Sequence, residues 1–291
     1  MCILFSLFIY FFLLKRGFLW RLSAIFAARK KVMHTDEERL LQRVRQRFNK
    51  ACADYQLIAD GDRILVAVSG GKDSLALLQL LGERSRILKP HFEVRAAHVI
   101  MSNIGYRSDV EYLKRFSEGV GVELDVLETS FDPTTDKRKS PCFLCSWNRR
   151  KALFEHAKSL HFNKIALGHH MDDILVTLLM NMSFQGAFGT MPPLLKMDKF
   201  DMTLIRPLCR IAESDLTEMA RIENYQLQQR VCPYEQSSFR ADIKDILARL
   251  ETLSPDARYN LWASMTNIQE SLLPPKEEEK QDTSTNAHKA L

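Results

Sequence analysis

The run Ile64-Leu65-Val66-Ala67-Val68-Ser69-Gly70-Gly71-Lys72-Asp73-Ser74-Leu75-Ala76-Leu77-Leu78 constrains this chain more than any other stretch. Five apolar residues give a buried-strand signal that passes through two glycines straight into a helical apolar pattern. Gly70 and Gly71 permit a tight turn and a close backbone approach to a bulky anion. The first N–H groups of the helix point, without intrahelical partners, at whatever sits above the turn, and the helix dipole favours negative charge there. The spacing excludes two common phosphate loops. A Walker loop needs four residues between its first glycine and Gly-Lys-Ser/Thr, and the dinucleotide fingerprint needs G-x-G-x-x-G.

What the segment does match is Ser-Gly-Gly-Lys-Asp-Ser over Ser69–Ser74, which resembles the PP-loop of the ATP pyrophosphatase superfamily. The resemblance implies cleavage of ATP between its α- and β-phosphates, transfer of AMP to a substrate and release of pyrophosphate. It also implies that Ser69, Gly70, Gly71 and Ser74 cradle phosphate, that Lys72 neutralises charge developing on it, and that Asp73 positions metal or pyrophosphate. The competing reading is an ordinary glycine-rich strand-to-helix turn.

Along the rest of the chain, short β-rich runs alternate with helical patterns, which predicts an α/β fold: a Rossmann-like parallel five-stranded sheet flanked by helices, with a small helical C-terminal region. The strands are expected at Arg63–Val68, Phe92–Val99, Glu123–Leu127, Lys164–Gly168 and near Thr203–Arg206, with closing helices near 213–222, 240–251 and 256–270 and Trp262 in a core. Domain boundaries are expected at 33–61 for an N-terminal helix capped by Thr35 or Asp36, 62–230 for the ATP-binding domain, and 231–273 for the C-terminal helices. Residues 274–291 are too polar to bury apolar area and read as a disordered tail. Ligands in such sheets sit beyond the carboxyl ends of the strands. That rule singles out Ser69–Ser74, the stretch around Met101-Ser102-Asn103, and His169–Asp173.

The third of these lies in Ile165-Ala166-Leu167-Gly168-His169-His170-Met171-Asp172-Asp173, again strand, turn and helix start. Two acids in a first helical turn stabilise the helix in any protein. Beside two histidines, and facing a triphosphate, they also suit Mg²⁺, which takes oxygen ligands and water. Asp172 or Asp173 is expected to touch metal or substrate, with Asp73 and Asp173 as magnesium ligands; the pattern G-H-x-x-D-D also resembles the second signature of thiolating PP-loop proteins, which implies that Gly168 and His169 border the nucleotide.

Six cysteines, Cys2, Cys52, Cys142, Cys145, Cys209 and Cys232, are too sparse for a disulfide scaffold. Cys142-Phe143-Leu144-Cys145 stands at an expected helix N-terminus, a position that favours thiolate. A redox pair needs only these two; a structural zinc site wants four ligands, and no second C-x-x-C pair exists in the sequence. A cluster site with three cysteines is the third reading, with Cys232 the first choice for the remaining ligand and Cys209 the fallback. Cys52, in a helical pattern, reads as packing.

Together, Ser69–Ser74, Pro141-Cys142-Phe143-Leu144-Cys145-Ser146 with Arg149-Arg150, Gly168–Asp173, Met191-Pro192-Pro193 and Arg206-Pro207-Leu208 resemble the tRNA 2-thiocytidine synthetase family (TtcA-type). The resemblance implies 2-thiolation of cytidine-32 in the tRNA anticodon loop, with ATP, Mg²⁺ and a [4Fe–4S] cluster as cofactors. Three cysteines bind that cluster in the family; Cys142 and Cys145 match two directly, and Cys232 stands alone where the family has a short second cysteine motif. Implied partners are tRNA and a sulfur donor such as a cysteine desulfurase, a homodimer is the open question of assembly, and the expected location is the cytoplasm. Within the superfamily, 2-thiouridine and lysidine synthetases are the alternatives; from another class, a non-catalytic nucleotide-binding module with a structural metal.

The formal net charge of +5 gives less support for an RNA partner than it suggests. Residues 1–32 carry six basic residues and no acid, leaving 5 − 6 = −1 for residues 33–291. The apolar run Cys2–Leu14 is shorter than the ~20 residues of a membrane span and lacks preceding basic residues. Met33 therefore reads as the natural start, with residues 1–32 an upstream over-read or a dispensable anchor, and no stable membrane partner is expected for residues 33–291. RNA contacts must be local. Lys137-Arg138-Lys139 and Arg149-Arg150-Lys151 flank the cysteine motif; Arg206, Arg210 and the helix bearing Arg39, Arg43, Arg45, Arg47 and Lys50 are further candidates, with Phe143 and Trp147 as stacking faces.

Overall fold

The computed structural model describes residues 35–87, 89–104, 108–132, 134, 140–197, 201–228 and 239–274. The chain divides into two compact units. The first takes in residues up to Met171 and Pro192–Glu235, and the second Asp172–Met191 and the residues from Gln236.

The first unit is built on a six-stranded sheet: β1 (Arg63–Ala67), β2 (Glu93–Met101), β3 (Glu123–Thr129), β4 (Lys164–Ala166), β5 (Leu194–Lys196) and β6 (Thr203–Ile205), in the order β3-β2-β1-β4-β6-β5. All neighbours run parallel except β5, which lies antiparallel to β6 with Leu195 opposite Leu204. The sheet thus has one strand more than expected. β5 is a short, largely exposed edge just after Pro192-Pro193, and only its pairing makes it a strand. Strand order reverses between β1 and β4, and at such a switch point the loops diverge to open a crevice at the carboxyl edge. The loops leaving β1 and β4 are the two motifs Ser69–Ser74 and Gly168–Asp173.

Helix α1 (Asp36–Asp54) starts at Thr35, whose hydroxyl accepts from the Glu38 N–H while the Glu38 carboxylate accepts from the Thr35 N–H, a reciprocal cap. Helix α2 (Lys72–Ser85) leaves the glycine turn and is buried without interruption from Ser74 to Gly82. It shares the main core with Val44 and Phe48 of α1, Ile64 and Val66 of β1, and Leu216 and Met219 of α6 (Glu213–Ile222). Cys52 and Cys209 are both buried. Burial pushes each thiol up to about 12. Helix α3 (Val110–Gly119) covers the β2–β3 side, and α4 (Pro141–Ser159), capped by Ser140, lays Leu153 and Ala157 on a second cluster with Leu65, Ala97, Val99 and Ile165.

The second unit comprises α5 (Met171–Gln185), which begins at the last residue of the first unit, α7 (Arg240–Leu253), α8 (Ala257–Ser264) and a 3₁₀ turn at Glu270–Leu272. Its polar anchor is Arg258, bidentate on Glu251 at 2.6 and 2.7 Å and also paired with Asp172. Trp262, expected in a core, is half-buried, because α8 has no fully buried residue. Among the described residues no helix is long and apolar enough to cross a membrane.

Candidate functional site

The turn after β1 is held open by its own side chains. Gly70 takes φ +81°, a backbone region in which L side chains are strained. Ser69 donates its N–H to Ser74 Oγ at 3.1 Å, the two hydroxyls lie 3.2 Å apart, and Ser74 Oγ donates to the Gly71 carbonyl at 2.9 Å. These bonds brace the turn by way of the flanking serines. Gln228 supports it from outside: its N–H donates to the Gly70 carbonyl at 3.3 Å and its Oε1 accepts from the Asp109 N–H at 2.6 Å. Behind the loop, buried His98 contacts the Val68 carbonyl at 2.8 Å and Ser108 Oγ at 2.7 Å. Neither Gln228 nor His98 is singled out by the sequence, since neither belongs to a local motif.

Lys72 Nζ lies 3.1 Å from Asp73 Oδ1 and 3.1 Å from Glu213 Oε1. Burial opposes its charge, but the carboxylates of Asp73 and Glu213 outweigh that cost and hold its pKa above the ordinary lysine value. The lysine expected to neutralise phosphate is thus itself neutralised by two acids.

The second motif packs directly on the first. A Cβ at Gly168 would stand 3.2 Å from the Asp73 carbonyl carbon and oxygen and from the Ser74 nitrogen, so only glycine lets the β4 turn come this close. His170, buried, brings Nε2 to 3.9 Å from Asp73 Oδ2. Gly168 and His170 therefore join the glycine turn as expected from the strand order, with half-buried His169 between them in the chain. Asp172 and Asp173 have arginine partners within the second unit. Asp172 is 7% exposed and pairs with Arg258, and Asp173 lies 3.5 Å from Arg240. Those contacts fit a scaffold role for Asp172.

Cys142 and Cys145 occupy the first turns of α4, neither in a disulfide; Cys142 is exposed and Cys145 half-buried. Cys145 and Leu144 pack on Met101, Ile104 and Phe131, while Asn103 binds the Phe131 carbonyl through its side chain. The expected ligand stretch after β2 thus forms the floor under Cys145. Cys232 lies outside the described residues, as do Lys137, Arg138 and Lys139. Cys209, the fallback third ligand, is 0% exposed with its thiol pushed up to about 12, which disfavours the thiolate a metal needs. Among the described residues no group of three or more His, Cys, Asp or Glu side chains converges as a metal site. The donor chemistry present, two accessible thiols one helical turn apart, fits part of an iron–sulfur ligand set.

A small open cavity of about 80 Å³ lies at the carboxyl ends of β1 and β2, lined by Ala67, Val68, Ser69, Ala97, Val99, Arg149 and Leu153. The start of the glycine turn and the cysteine-bearing helix share this wall.

Several basic residues expected to face RNA are engaged within the first unit. Arg45 binds Glu83 at 2.8 and 2.9 Å, Arg43 and Arg47 both bind Asp215, and Arg210 pairs with Asp54 and lies over Tyr55. Arg206 is buried against the Pro192 carbonyl, and burial lowers its pKa. Arg150 and Lys151 remain on the surface beside Phe143 and Trp147, which are 42% and 48% exposed. Lys151 Nζ sits 5.6 Å from the Trp147 ring centre.

A doubly flanked parallel sheet whose switch point carries this serine–glycine turn defines a PP-loop nucleotide-binding protein. The chain matches the PP-loop domain family over residues 40–250. It is 35% identical over 247 residues to the tRNA-cytidine(32) 2-sulfurtransferase of Deinococcus radiodurans, covering 83% of this chain and 82% of that one. The corresponding enzyme of Bdellovibrio bacteriovorus is 36% identical over 238 residues, covering 80% and 91%. This chain belongs to the tRNA-cytidine(32) 2-sulfurtransferase family of PP-loop proteins. Among solved structures it is similar to the U34-tRNA thiolase NcsA from Methanococcus maripaludis with its [4Fe-4S] cluster, at 26% identity and a TM-score of 0.67, covering 79% of this chain and 80% of that one.

Proposed function

We propose that this enzyme replaces O2 of cytidine-32 in the tRNA anticodon loop by sulfur, using ATP. Oxide is a poor leaving group, whereas AMP is a good one, so the cytidine oxygen first attacks the α-phosphorus of ATP and pyrophosphate departs. Sulfur at the hydrosulfide level then bonds to C2, the C2–O bond breaks with its electron pair leaving on AMP, and one proton is released. Splitting the substitution in this way replaces one difficult step by two easier ones. The single observation that carries the reading is the cavity wall shared by Ser69 of the phosphate turn and the helix bearing Cys142 and Cys145.

In this reading Ser69, Gly70, Gly71 and Ser74 hold the phosphates, Lys72 stays protonated beside them, and Asp73 offers an oxygen to Mg²⁺. Cys142, Cys145 and Cys232 hold the [4Fe–4S] cluster. When bound, that cluster supplies an open iron position for sulfur. Gln228, hydrogen-bonded to Gly70, stands four residues before Cys232 in the sequence. Arg150 and Lys151, with Lys137–Lys139, bind the RNA backbone, and Trp147 or Phe143 stacks on a splayed base. A cysteine desulfurase is the proposed sulfur source, the cytoplasm the site of action, and a homodimer the proposed assembly.

The test is nucleoside analysis of tRNA from a strain lacking the gene, with iron and sulfide assays on anaerobically purified protein. Loss of 2-thiocytidine together with about four irons per chain supports the proposal; unchanged 2-thiocytidine removes it. Uridine-34 thiolation is the second reading, favoured by the likeness to the archaeal thiolase, and the same digest would then lose 2-thiouridine instead.

A further inference from the structure

Arg149 sits on α4 one helical turn after Cys145 and one turn before Leu153, so the three share a stripe. Leu153 is buried in the sheet core and Cys145 packs over Met101 and Phe131, which turns Arg149 toward the carboxyl ends of β1 and β2. There it lines the same cavity as Ser69; the other lining residues, Ala67, Val68, Ala97, Val99 and Leu153, are apolar. Its Nε is buried with no hydrogen-bond partner, and among the described residues no ion pair involves its guanidinium. Arg149 as a whole is half-exposed, and its one buried donor nitrogen is left for water or a ligand to satisfy.

The charges around the turn indicate which ligand. Lys72 faces two carboxylates, Asp73 and Glu213, so this trio presents more negative than positive charge to an incoming nucleotide. Beside Mg²⁺ at Asp73, the cation that lines the same cavity as Ser69 is Arg149, on the cysteine side.

We propose that Arg149 is a catalytic residue whose guanidinium holds the α-phosphate of ATP and stays with it as AMP, rather than an RNA-backbone contact. The assignment rests on the reading of this site as an ATP-dependent thiolation site. Two N–H groups of the fork match two phosphate oxygens. As sulfur bonds to C2 and the C2–O bond breaks, the electron pair moves onto the phosphate oxygen of the departing AMP, next to the fixed positive charge of Arg149.

The experiment uses full-length, cluster-loaded protein with Arg149→Met and Arg149→Lys. Four quantities are read: affinity for α,β-methylene-ATP without tRNA, AMP formed with tRNA, affinity for tRNA at two salt concentrations, and iron content. Arg149→Met is expected to weaken analogue binding by about tenfold and to slow AMP formation by about 10²–10³-fold. Affinity for tRNA should stay within twofold and iron content unchanged, with Arg149→Lys recovering part of both losses. Unchanged analogue binding with weaker, less salt-dependent tRNA binding would overturn the proposal and make Arg149 a backbone contact. Loss of iron in Arg149→Met, with analogue binding intact, would overturn it in favour of a structural role. The analogue titration is independent of thiolation, so wild-type protein that binds nucleotide through Arg149 yet thiolates no cytidine would refute the proposed substrate and leave this assignment standing.

Discussion

Replacing Gly70 by alanine tests how the phosphate turn is braced, because two separable costs meet at one atom. At φ +81° a side chain costs about 1–2 kcal/mol. The new Cβ would also stand 2.4 Å from Gln228 Cγ and 3.2 Å from Gln228 Cβ, so the glutamine must swing aside. Moving it gives up the hydrogen bond from the Asp109 N–H at 2.6 Å, about 1 kcal/mol. Gly70→Ala is therefore expected to lose about 2–3 kcal/mol of stability, and Gln228→Ala alone about 1 kcal/mol. In the double variant the crowding at Cγ is gone and the same lost hydrogen bond is counted once. The pair should then cost about 2–3 kcal/mol, roughly 1 kcal/mol less than the sum of the singles. Urea unfolding of the four proteins, followed by circular dichroism with the denaturant slopes compared, measures this directly. Strict additivity would refute the reasoning, since Gln228 would then not be what opposes a side chain at position 70.

Three further outcomes are expected of the site and its scaffold. With thiols pushed up to about 12, Cys52 and Cys209 are thiolate to only about one part in 10⁴ at pH 8, so brief iodoacetamide treatment of native cluster-free protein should label exposed Cys142 and spare both; comparable labelling of Cys209 on peptide mapping would restore it as a ligand candidate. Burial disfavours the Asp125 carboxylate, but Arg95 at 2.5 Å and His156 at 2.7 Å outweigh that and hold its pKa below the usual value. Its stabilisation is therefore present above the ordinary carboxylate pKa of about 3.9 and lost as pH falls through the lower folded value. Asp125→Asn should cost about 2 kcal/mol at pH 7, with the gap to wild type closing below about pH 4; a gap constant down to pH 2 would contradict this. Asp172→Ala leaves Arg258 with Glu251 as its remaining carboxylate partner among the described residues, so stability should fall by about 3 kcal/mol with faster amide exchange in α8. Full stability with abolished AMP formation would instead make Asp172 catalytic.

What the sequence conveys about this fold depends on how far apart the determining residues stand. The phosphate turn is written within six residues: Ser69 and Ser74 close on each other, and Gly70 meets its own φ requirement. It is legible without a structure, as is the reciprocal cap of Thr35 and Glu38. Strand β5 is not, because Leu194–Lys196 has no periodicity of its own and becomes a strand by lying along Thr203–Ile205. The basic face of α1 misleads for the same reason. Its arginines form a cationic row in one dimension, yet Arg45 is neutralised by Glu83 and Arg43 and Arg47 by Asp215, acids 38 to 172 residues away. A net charge of −1 over residues 33–291 already implies that many cations find acids, but only the fold decides which remain available. Arg149 is the converse case. In sequence it is one of three adjacent basic residues, and its distinction from Arg150 and Lys151 arises because helical spacing from Cys145 and Leu153 turns it inward while its neighbours face solvent. The proposed division of labour within Arg149-Arg150-Lys151, one residue for the nucleotide and two for the RNA, therefore rests on helical phase against β1 and β2, strands that stand far upstream in the chain.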